Sequence, residues 1–283
     1  MVKLTLLIFM LNLAKSCVVK RKKWNEKVTS ESLKLKQHII YGPVNSRRLG
    51  SSLGLNILPT RYKACPFNCR YCQYGFTNTK GHTVNIDGAE VPSVDEIVLA
   101  LEKAFDDYPS VAYITFSGNG EPTLHPEFPR IVEKVKILKN RMNPDIKLAI
   151  LSNSALVYKD DVRQGLANLD ERFMKLDCGE DAVFLRFNRP HPDIRFDMIM
   201  EGLKGLEDII IQALFAGGDE GNYNDYAIDR WIDRIGEIKP RECHIYSLDR
   251  PSADRSLTKI EAEGLVKIKQ KTERRAGVMV KVY

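Results

Sequence analysis

Three cysteines are the residues of this chain whose type and spacing most directly imply chemistry. Cys65, Cys69 and Cys72 form a C-x3-C-x2-C pattern, and an apolar run at residues 53–58 precedes them. Thiolates on one short loop can hold three corners of a [4Fe–4S] cluster, because such clusters are bound by cysteine sulfur. The fourth iron then has no protein ligand. The pattern therefore predicts an iron–sulfur site at which a small molecule can coordinate the open iron.

A structural zinc site is the alternative for the same cysteines. Zinc closes a tetrahedron with four Cys or His ligands, usually in two nearby pairs. The loop has no fourth cysteine nearby, and the next candidate, His82, comes ten residues after Cys72 in a glycine-containing stretch. The spacing favours iron–sulfur chemistry and leaves zinc open.

A second segment with chemical potential lies about fifty residues further on. The apolar residues 111–117 read as a buried strand and run directly into Gly118, Asn119, Gly120 and Glu121. Glycines allow a backbone to pass close to a ligand without obstruction by side chains, and Glu121 supplies a carboxylate. By itself this segment is a weak signal for ligand binding.

Together, the two segments resemble those of a known family. CPFNCRYC, with Tyr71 just before the last cysteine, resembles the cluster loop of the radical S-adenosylmethionine (radical SAM) superfamily, and SGNGEPT resembles the segment that receives the cofactor's methionine amino group. The stretch YGPVNSRRLGSSLGLNILP resembles the lead-in of a subgroup that includes wyosine-type tRNA-modifying enzymes. The resemblance extends over residues 41–283.

This resemblance implies two cofactors and an enzymatic activity. A [4Fe–4S] cluster held by the three cysteines would cleave S-adenosylmethionine (SAM) reductively to a 5′-deoxyadenosyl radical, which would abstract hydrogen from a substrate. The substrate classes left open are a small molecule and a tRNA base. An external one-electron reductant of the flavodoxin or ferredoxin type is implied as partner. An iron–sulfur electron-transfer or scaffold protein without SAM chemistry is the competing function, and a zinc-stabilised binding module is a third.

The order of predicted elements indicates the fold. Apolar strand-like runs alternate with helical patterns along the chain, which is typical of βαβ units in a parallel sheet. Ser93 and Glu96 form a capping box at the start of a helix predicted for residues 93–105. We count six main strands, fewer than a closed eight-stranded barrel requires, and a last short strand at residues 278–282. The count and the resemblance predict an α/β fold, a partial (β/α)6 TIM-type barrel.

In such a barrel the reactive residues gather where the strands end, at the carboxyl edge. The resemblance assigns Asn119, Gly120 and Glu121 to cofactor binding after the second strand. Ser152 and Asn153, after the third strand, would contact the cofactor ribose, with a turn or helix cap as the alternative role. Lys175 and Asp177 follow the fourth, and cofactor contact competes there with a structural ion pair.

Two further polar segments have no assigned role in the family pattern. Arg47 and Arg48 are expected near the barrel mouth, where they would bind an anionic group or form surface ion pairs. Residues 188–192, with the sequence Asn-Arg-Pro-His-Pro, are expected either to line the substrate side or to form a rigid turn.

The amino-terminal region differs from the rest in charge. Residues 1–48 contain eleven Lys and Arg against two Glu, a net charge of +9, so the remaining residues carry −3 of the total of +6. An apolar run at residues 4–13 has the length of a signal-peptide core, but no small-x-small cleavage site follows. We therefore expect residues 1–40 to be a basic extension or a start assigned too far upstream, with a signal or anchor segment as the alternative. Residues 41–283 are expected to be the core domain, and the protein to be cytoplasmic without stable membrane association.

Overall fold

The computed structural model describes residues 32–283. The strands are β1 (Ile40–Ser46), β2 (Gly50–Leu55), β3 (Tyr113–Phe116), β4 (Lys147–Ser152), β5 (Glu171–Lys175), β6 (Ile210–Leu214), β7 (Glu242–Tyr246) and β8 (Val280–Val282). The helices are α1 (Val94–Asp107), α2 (Phe128–Met142), α3 (Asp160–Ala167), α4 (Phe196–Lys204), α5 (Asp225–Ile238) and α6 (Ala262–Ala276). Short helical turns lie at Gly88–Glu90, Pro122–Leu124 and Asp181–Val183, the last continuing into a π-helical turn at Phe184–Asn188.

All eight strands belong to one sheet in sequential order. β1 runs antiparallel to β2, whereas β2 to β8 are mutually parallel. The six predicted main strands are β2 to β7, and the predicted last short strand is β8. Sequential parallel order with a helix between most neighbours is the topology of a TIM-type barrel, and the partial barrel predicted from the sequence is confirmed.

The first helix illustrates how local sequence sets an element. α1 begins at the predicted capping box, in which the Ser93 hydroxyl accepts from the Glu96 backbone N–H and the Glu96 carboxylate accepts from the Ser93 N–H. Its apolar residues Ile97, Leu101 and Phe105 recur at helical spacing and are buried. The helix therefore packs one stripe on the sheet, and its polar face points to solvent.

The strands separate an outer core from an inner one. On β4, Leu148 and Ile150 pack in the large cluster that the helices share, whereas Ala149 packs in a second cluster inside the barrel. This second cluster contains Leu49, Phe173 and Ile210 as well. Since side chains alternate across a strand, residues two positions along from Ala149, Phe173 and Ile210 also face the barrel interior.

A β-hairpin that the sequence did not indicate closes the open side of the barrel. The resemblance predicts that residues 41–59 only lead into the first strand, but residues 40–46 form an additional antiparallel strand with a register shift between Tyr41 and Val44. In this strand Gly42 and Pro43 interrupt the apolar residues and no regular apolar alternation results, so its sequence carries no strand signal. At the hairpin tip, Leu49 packs in the inner cluster. The guanidinium of Arg48 lies over the rings of Tyr246 and Tyr283, near the other edge of the sheet.

The predictions for residues 1–31 lie outside the described residues, and the division at residue 41 stays a prediction. Residues 32–39 run along the carboxyl edge of the barrel, where the backbone of Lys36 is hydrogen bonded to the side chain of Asn119. Within residues 32–283 no helix is long and apolar enough to cross a membrane.

The packing of the hairpin tip gives a prediction for stability. Leu49→Ala should lower the free energy of unfolding by about 2 kcal/mol or more, because it leaves a cavity at the bottom of the barrel. The measurement is urea-induced unfolding of the full chain under anaerobic conditions. Leu99, which is 51% exposed on α1, is the matched control, and Leu99→Ala should change stability by less than about 0.5 kcal/mol. Equal small effects for both variants would show that the hairpin tip does not close the barrel.

Candidate active site

The structure brings the sequence-predicted site residues to one edge of the sheet. The three cysteines lie on the loop after β2, Asn119 to Glu121 follow β3, Ser152 and Asn153 lie at the end of β4, and Lys175 and Asp177 lie at the end of β5. These are carboxyl ends of adjacent parallel strands. The edge is the one at which barrels of this class place their chemistry.

Backbone hydrogen bonds hold the cysteine loop on both sides. Cys65 N donates to Gly81 O at 2.9 Å, and Arg70 N donates to Phe187 O at 3.0 Å. Asn68 N lies 3.0 Å from both Asn188 O and Arg189 O. The loop is therefore clamped between the segment that follows it and the turn after β5.

The Arg70 side chain ties the cysteine loop to the far side of the barrel. Its guanidinium donates to Arg186 O at 2.8 Å and forms ion pairs with Asp254 at 2.5 Å and Glu220 at 2.7 Å. Glu220 follows β6 and Asp254 follows β7, so one side chain connects three loops at the barrel mouth. A planar guanidinium with five donors suits such a junction.

Each of the three cysteine sulfurs faces a nitrogen donor from elsewhere in the fold. Asn153 Nδ2 lies 3.3 Å from Cys65 Sγ, Asn188 Nδ2 lies 3.5 Å from Cys69 Sγ, and Lys63 Nζ lies 3.3 Å from Cys72 Sγ. N–H donors and a cation aimed at sulfur stabilise thiolate over thiol. This donor set therefore fits the thiolate ligands of an iron–sulfur cluster.

Lys63 is a site residue that the sequence reasoning missed. Its residue is 7% exposed, and its ammonium donates to Gly75 O at 2.9 Å in addition to Cys72 Sγ. Burial alone would lower the pKa of this ammonium, but the Coulombic attraction of Cys72, Cys65 and Cys69 outweighs burial and raises it. The signal in the sequence was its position two residues before Cys65. Nothing in the sequence indicated that the charge is buried.

Burial raises the pKa of the Cys65 thiol to about 12 and that of the Cys69 thiol to about 11. Iron binds thiolate rather than thiol, so loading the cluster must displace these protons. Within residues 32–283 no group of three or more His, Cys, Asp or Glu side chains is placed to hold a single metal ion. The thiolates of a cubane bind different irons and need not converge on one point, whereas the four ligands of a zinc site must.

The ring of His82, the candidate fourth zinc ligand, makes other contacts. Its Nε2 lies 3.2 Å from Pro66 O, and its ring packs edge-on against that of His191 with the centroids 5.4 Å apart. Burial and the nearby His191 lower the pKa of His82. His191 N in turn donates to Pro66 O at 2.7 Å. Residues 188–192 therefore brace the cysteine loop, which corresponds to the rigid-turn alternative.

Glu121 is a buried carboxylate that joins the ends of β3 and β4. Its Oε1 accepts from Thr123 N, Thr123 Oγ1 and Ser152 Oγ, and its Oε2 accepts from Asn153 N at 2.5 Å. Burial raises the pKa of Glu121 even though these donors oppose the rise. The carboxylate thereby sets the position of Asn153, whose amide faces the Cys65 sulfur.

Two glycines allow the turn after β3 to lie close to the segment between β2 and the cysteines. Gly120 has φ of +142°, and a Cβ there would lie 1.7 Å from Ala64 O. Gly118 has φ of +136°, and a Cβ would lie 2.4 Å from Asn56 Oδ1. Only glycine avoids both the steric overlap and the unfavourable backbone angle. The close approach is thus to the protein's own backbone beside Cys65, and ligand binding by Gly120 stays a prediction.

Asn119 is fully buried and its side chain is occupied by protein groups. Its Oδ1 accepts from Lys36 N at 2.7 Å, and its Nδ2 donates to Lys36 O and to Pro59 O, each at 2.9 Å. The residue therefore connects the irregular segment before β1 to the loop after β2. Its assignment to cofactor binding remains a prediction.

Asp177 is the centre of a buried network at the end of β5. Its carboxylate accepts from Lys175 Nζ at 2.8 Å, Asn188 Nδ2 at 2.8 Å, Leu214 N at 2.9 Å and Tyr71 OH at 2.5 Å. Burial opposes the charge of Lys175, but Asp177 outweighs it and raises the pKa of the ammonium. The ion pair that the sequence left open is therefore present, and cofactor contact by this pair stays a prediction.

Comparisons with known proteins identify the family of this chain. Residues 60–212 match the model of the radical SAM superfamily. A UPF0026 protein of Methanocaldococcus jannaschii is 31% identical over 237 residues, which cover 81% of this chain and 70% of that protein.

Two solved structures share the fold. The structure of TYW1 with a lysine-pyruvate adduct bound superposes with a TM-score of 0.53 at 16% identity, covering 80% of this chain and 74% of that one. SuiB of Streptococcus suis, bound to the precursor peptide SuiA, gives a TM-score of 0.57 at 17% identity over 81% of this chain and 48% of that one. The family match covers the cysteine loop, Glu121 and the ends of β3, β4 and β5, and it places this chain in the radical SAM superfamily, whose enzymes use a [4Fe–4S] cluster and SAM.

Proposed function

We propose that Cys65, Cys69 and Cys72 bind three irons of the [4Fe–4S] cluster and that the ends of β3, β4 and β5 bind SAM at the fourth. The observation that carries the proposal concerns the three cysteines of the clamped loop. The sulfur of each one faces a different nitrogen donor. When bound, the two groups supply reductive cleavage of SAM to methionine and a 5′-deoxyadenosyl radical that abstracts hydrogen from the substrate.

The chain's own residues contribute charge, orientation and exclusion of water. Lys63 places a positive charge beside the thiolates, which offsets part of the negative charge that reduction adds in a low-dielectric site. Asn153 and Asn188 orient the sulfurs by hydrogen bonding. Because Cys65 and Cys69 are each only 8% exposed, the loop shields its side of the site from solvent.

The cofactor side of the site is assigned to seven residues beyond those cysteines. Glu121, Asn119 and Gly120 would lie beside the methionine moiety of SAM, and Ser152 and Asn153 beside its ribose. Glu121 acts by holding Asn153 and the turn after β3 in place. Lys175 and Asp177 complete the set, with Asp177 linking Tyr71 of the cysteine loop to the start of the next loop.

The wider context is part of the same proposal. Radical SAM enzymes need an electron donor, and we assign that role to an external flavodoxin- or ferredoxin-type protein. The substrate is a small molecule or a tRNA base, and the reaction takes place in the cytoplasm, where such reductants are found. Residues 41–283 would form the catalytic domain. An electron-transfer or scaffold role without SAM chemistry would be established instead if reduced, cluster-loaded protein released no 5′-deoxyadenosine from SAM.

Loss of one cysteine should remove the cluster. Cys69→Ala is expected to abolish the iron–sulfur absorption band and 5′-deoxyadenosine formation with dithionite, because one iron loses its only protein ligand. Iron and sulfide content after anaerobic reconstitution are the measurements. Cys243 is fully buried on β7 and faces the outer core, so Cys243→Ala is the control and should keep both. A fully loaded, active Cys69→Ala protein would contradict the ligand assignment.

Glu121→Gln should weaken SAM binding. The amide N–H of the new side chain would face one of the donors from which the carboxylate now accepts. The loss of about 1–3 kcal/mol amounts to about fivefold or more in Kd. Equilibrium dialysis of SAM with the cluster-loaded protein measures this. Glu127, whose side chain is 43% exposed and pairs with Arg130, supplies the control Glu127→Gln. Unchanged affinity in Glu121→Gln would exclude Glu121 from organising the cofactor side.

Lys63→Met should make the cluster harder to reduce. Removing the buried positive charge should shift the midpoint potential to more negative values by about 59 mV or more, a tenfold change in a one-electron equilibrium. Potentiometric titration followed by electron paramagnetic resonance measures the shift. Lys80 lies nearby in the chain but is exposed and pairs with Glu90, so Lys80→Met should leave the potential unchanged. Identical potentials in the two variants would show that the Lys63 charge does not act on the cluster.

A further inference from the structure

Several side chains on the inner face of the barrel, above its apolar floor, are accessible to solvent, and the space that they line is called the chamber here. Leu151 lies on the same face of β4 as Ala149, which packs inside the barrel, yet Leu151 is 37% exposed. Lys175 on β5 and Tyr246 on β7 also face inward and are only partly buried. A large apolar side chain exposed inside a barrel marks space that a ligand can fill. This chamber adjoins the strand ends assigned to the cofactors.

Two adjacent arginines at the hairpin tip have different surroundings. Arg47 is exposed and pairs with Asp249. Arg48 instead packs over the rings of Tyr246 and Tyr283, with its guanidinium carbon 4.5 Å and 5.9 Å from their centroids. Among residues 32–283 no carboxylate or carbonyl accepts a hydrogen bond from the Arg48 guanidinium. Its donors are thus left for water or a ligand.

Tyr246 lies against two cations, and only one of them has a counter-charge. Lys175 Nζ lies 4.9 Å from the centroid of the Tyr246 ring and forms the ion pair with Asp177. Arg48 has no acidic partner in the described part of the chain. Two cations near one ring repel each other, so this wall of the chamber carries an uncompensated positive charge. An anionic group in the chamber would compensate it.

Two buried polar atoms beside Arg48 also lack partners. Gln212 on β6 and His244 on β7 are register neighbours on the inner face and are 5% and 2% exposed. Gln212 Nε2 and His244 Nδ1 make no hydrogen bond within residues 32–283. His244 Nε2 lies 2.8 Å from Glu242 Oε1, so it carries the proton and Nδ1 is an acceptor. Unpaired buried polar atoms are costly and uncommon in folded proteins, and these two flank the Tyr283 ring and Lys175.

We propose that Arg48 is the anion-binding residue of the substrate chamber and that the substrate presents a carboxylate or phosphate group to its guanidinium. The stacked, unpaired guanidinium offers the fork of N–H donors that binds both anions in bidentate fashion. Gln212 Nε2 and His244 Nδ1 supply one donor and one acceptor to the adjoining part of the ligand or to a water that it retains. The proposal rests on the proposed function insofar as it takes the chamber to be the substrate side of that site.

Anion binding can be tested without turnover. Nuclear magnetic resonance of the full-length, cluster-loaded protein measures the Nε–Hε signals of its arginines. The Arg48 signal is the one that is missing from the spectrum of Arg48→Gln, and the Arg47 signal is the one that is missing from the spectrum of Arg47→Gln. Inorganic phosphate and acetate are the probes, each titrated against chloride at constant ionic strength. We expect a saturable shift of the Arg48 resonance with at least one probe and no saturable shift of the Arg47 resonance. The probe that binds more tightly distinguishes a phosphate from a carboxylate substrate.

A second variant separates anion binding from a structural role. Arg48→Lys keeps the charge but loses the fork, and it should weaken binding of the preferred probe about tenfold, or 1.4 kcal/mol. The probe affinity of this variant is read from the shifts of neighbouring backbone amides. If neither probe shifts the Arg48 resonance saturably, or if Arg48→Lys binds as tightly as the native protein, the proposal is overturned and Arg48 only holds the hairpin against Tyr246. Cluster content and 5′-deoxyadenosine formation are measured separately, so failure here leaves the radical SAM assignment intact.

Discussion

The active site depends on backbone contact between the cysteine loop and the turn after β3. Ala64 N donates to Asn119 O at 2.9 Å and Glu121 N donates to Ala64 O at 3.0 Å, so the loop continues the parallel pairing of β2 and β3 beyond the strand ends. The residue next to Ala64 is Cys65. This contact therefore sets the distance between the cysteine loop and the turn after β3, and it exists only because residue 120 lacks a Cβ.

The second constraint is the balance of charge in a buried site. Three thiolates would be costly to bury without compensation. Lys63 lies beside them, and no carboxylate among residues 32–283 pairs with it. The donors from Asn153 and Asn188 spread the remaining charge by hydrogen bonding. Asp177 and Lys175 form a separate ion pair whose two charges cancel. The negative charge of the cysteine loop is therefore offset by Lys63, and that of Asp177 by Lys175.

A few polar side chains connect loops that are far apart in the chain but lie at the same edge of the barrel. Arg70 connects the cysteine loop to the loops after β6 and β7, and Asp177 connects Tyr71 to β6. In an open barrel the first and last strands do not pair, so the two edges of the sheet are not held together by backbone hydrogen bonds. These polar contacts hold the mouth together above, and the hairpin tip with Leu49 and Arg48 closes the gap in the wall below.

The sequence by itself determined the features that depend on local order. The spacing of the three cysteines, the capping box before α1, and the alternation of strands with helices require only neighbouring residues, and each is found where the sequence indicates it. The strand ends that carry Glu121, Ser152, Asn153, Lys175 and Asp177 follow from the same alternation, because parallel strands must finish at a common edge.

Only the tertiary structure decided which side chains are buried and which distant residues meet. Asn188 faces Cys69 across 119 residues, and Arg48 reaches Tyr246 from the opposite edge of the sheet. Lys63 stands beside Cys65 in the chain, but its burial results from Gly75 and the cysteines folding around it. β1 has no strand pattern in its sequence, because its pairing with β2 and the packing of the hairpin tip hold it in place. Such contacts depend on chain closure over long separations, which local propensity and spacing do not encode.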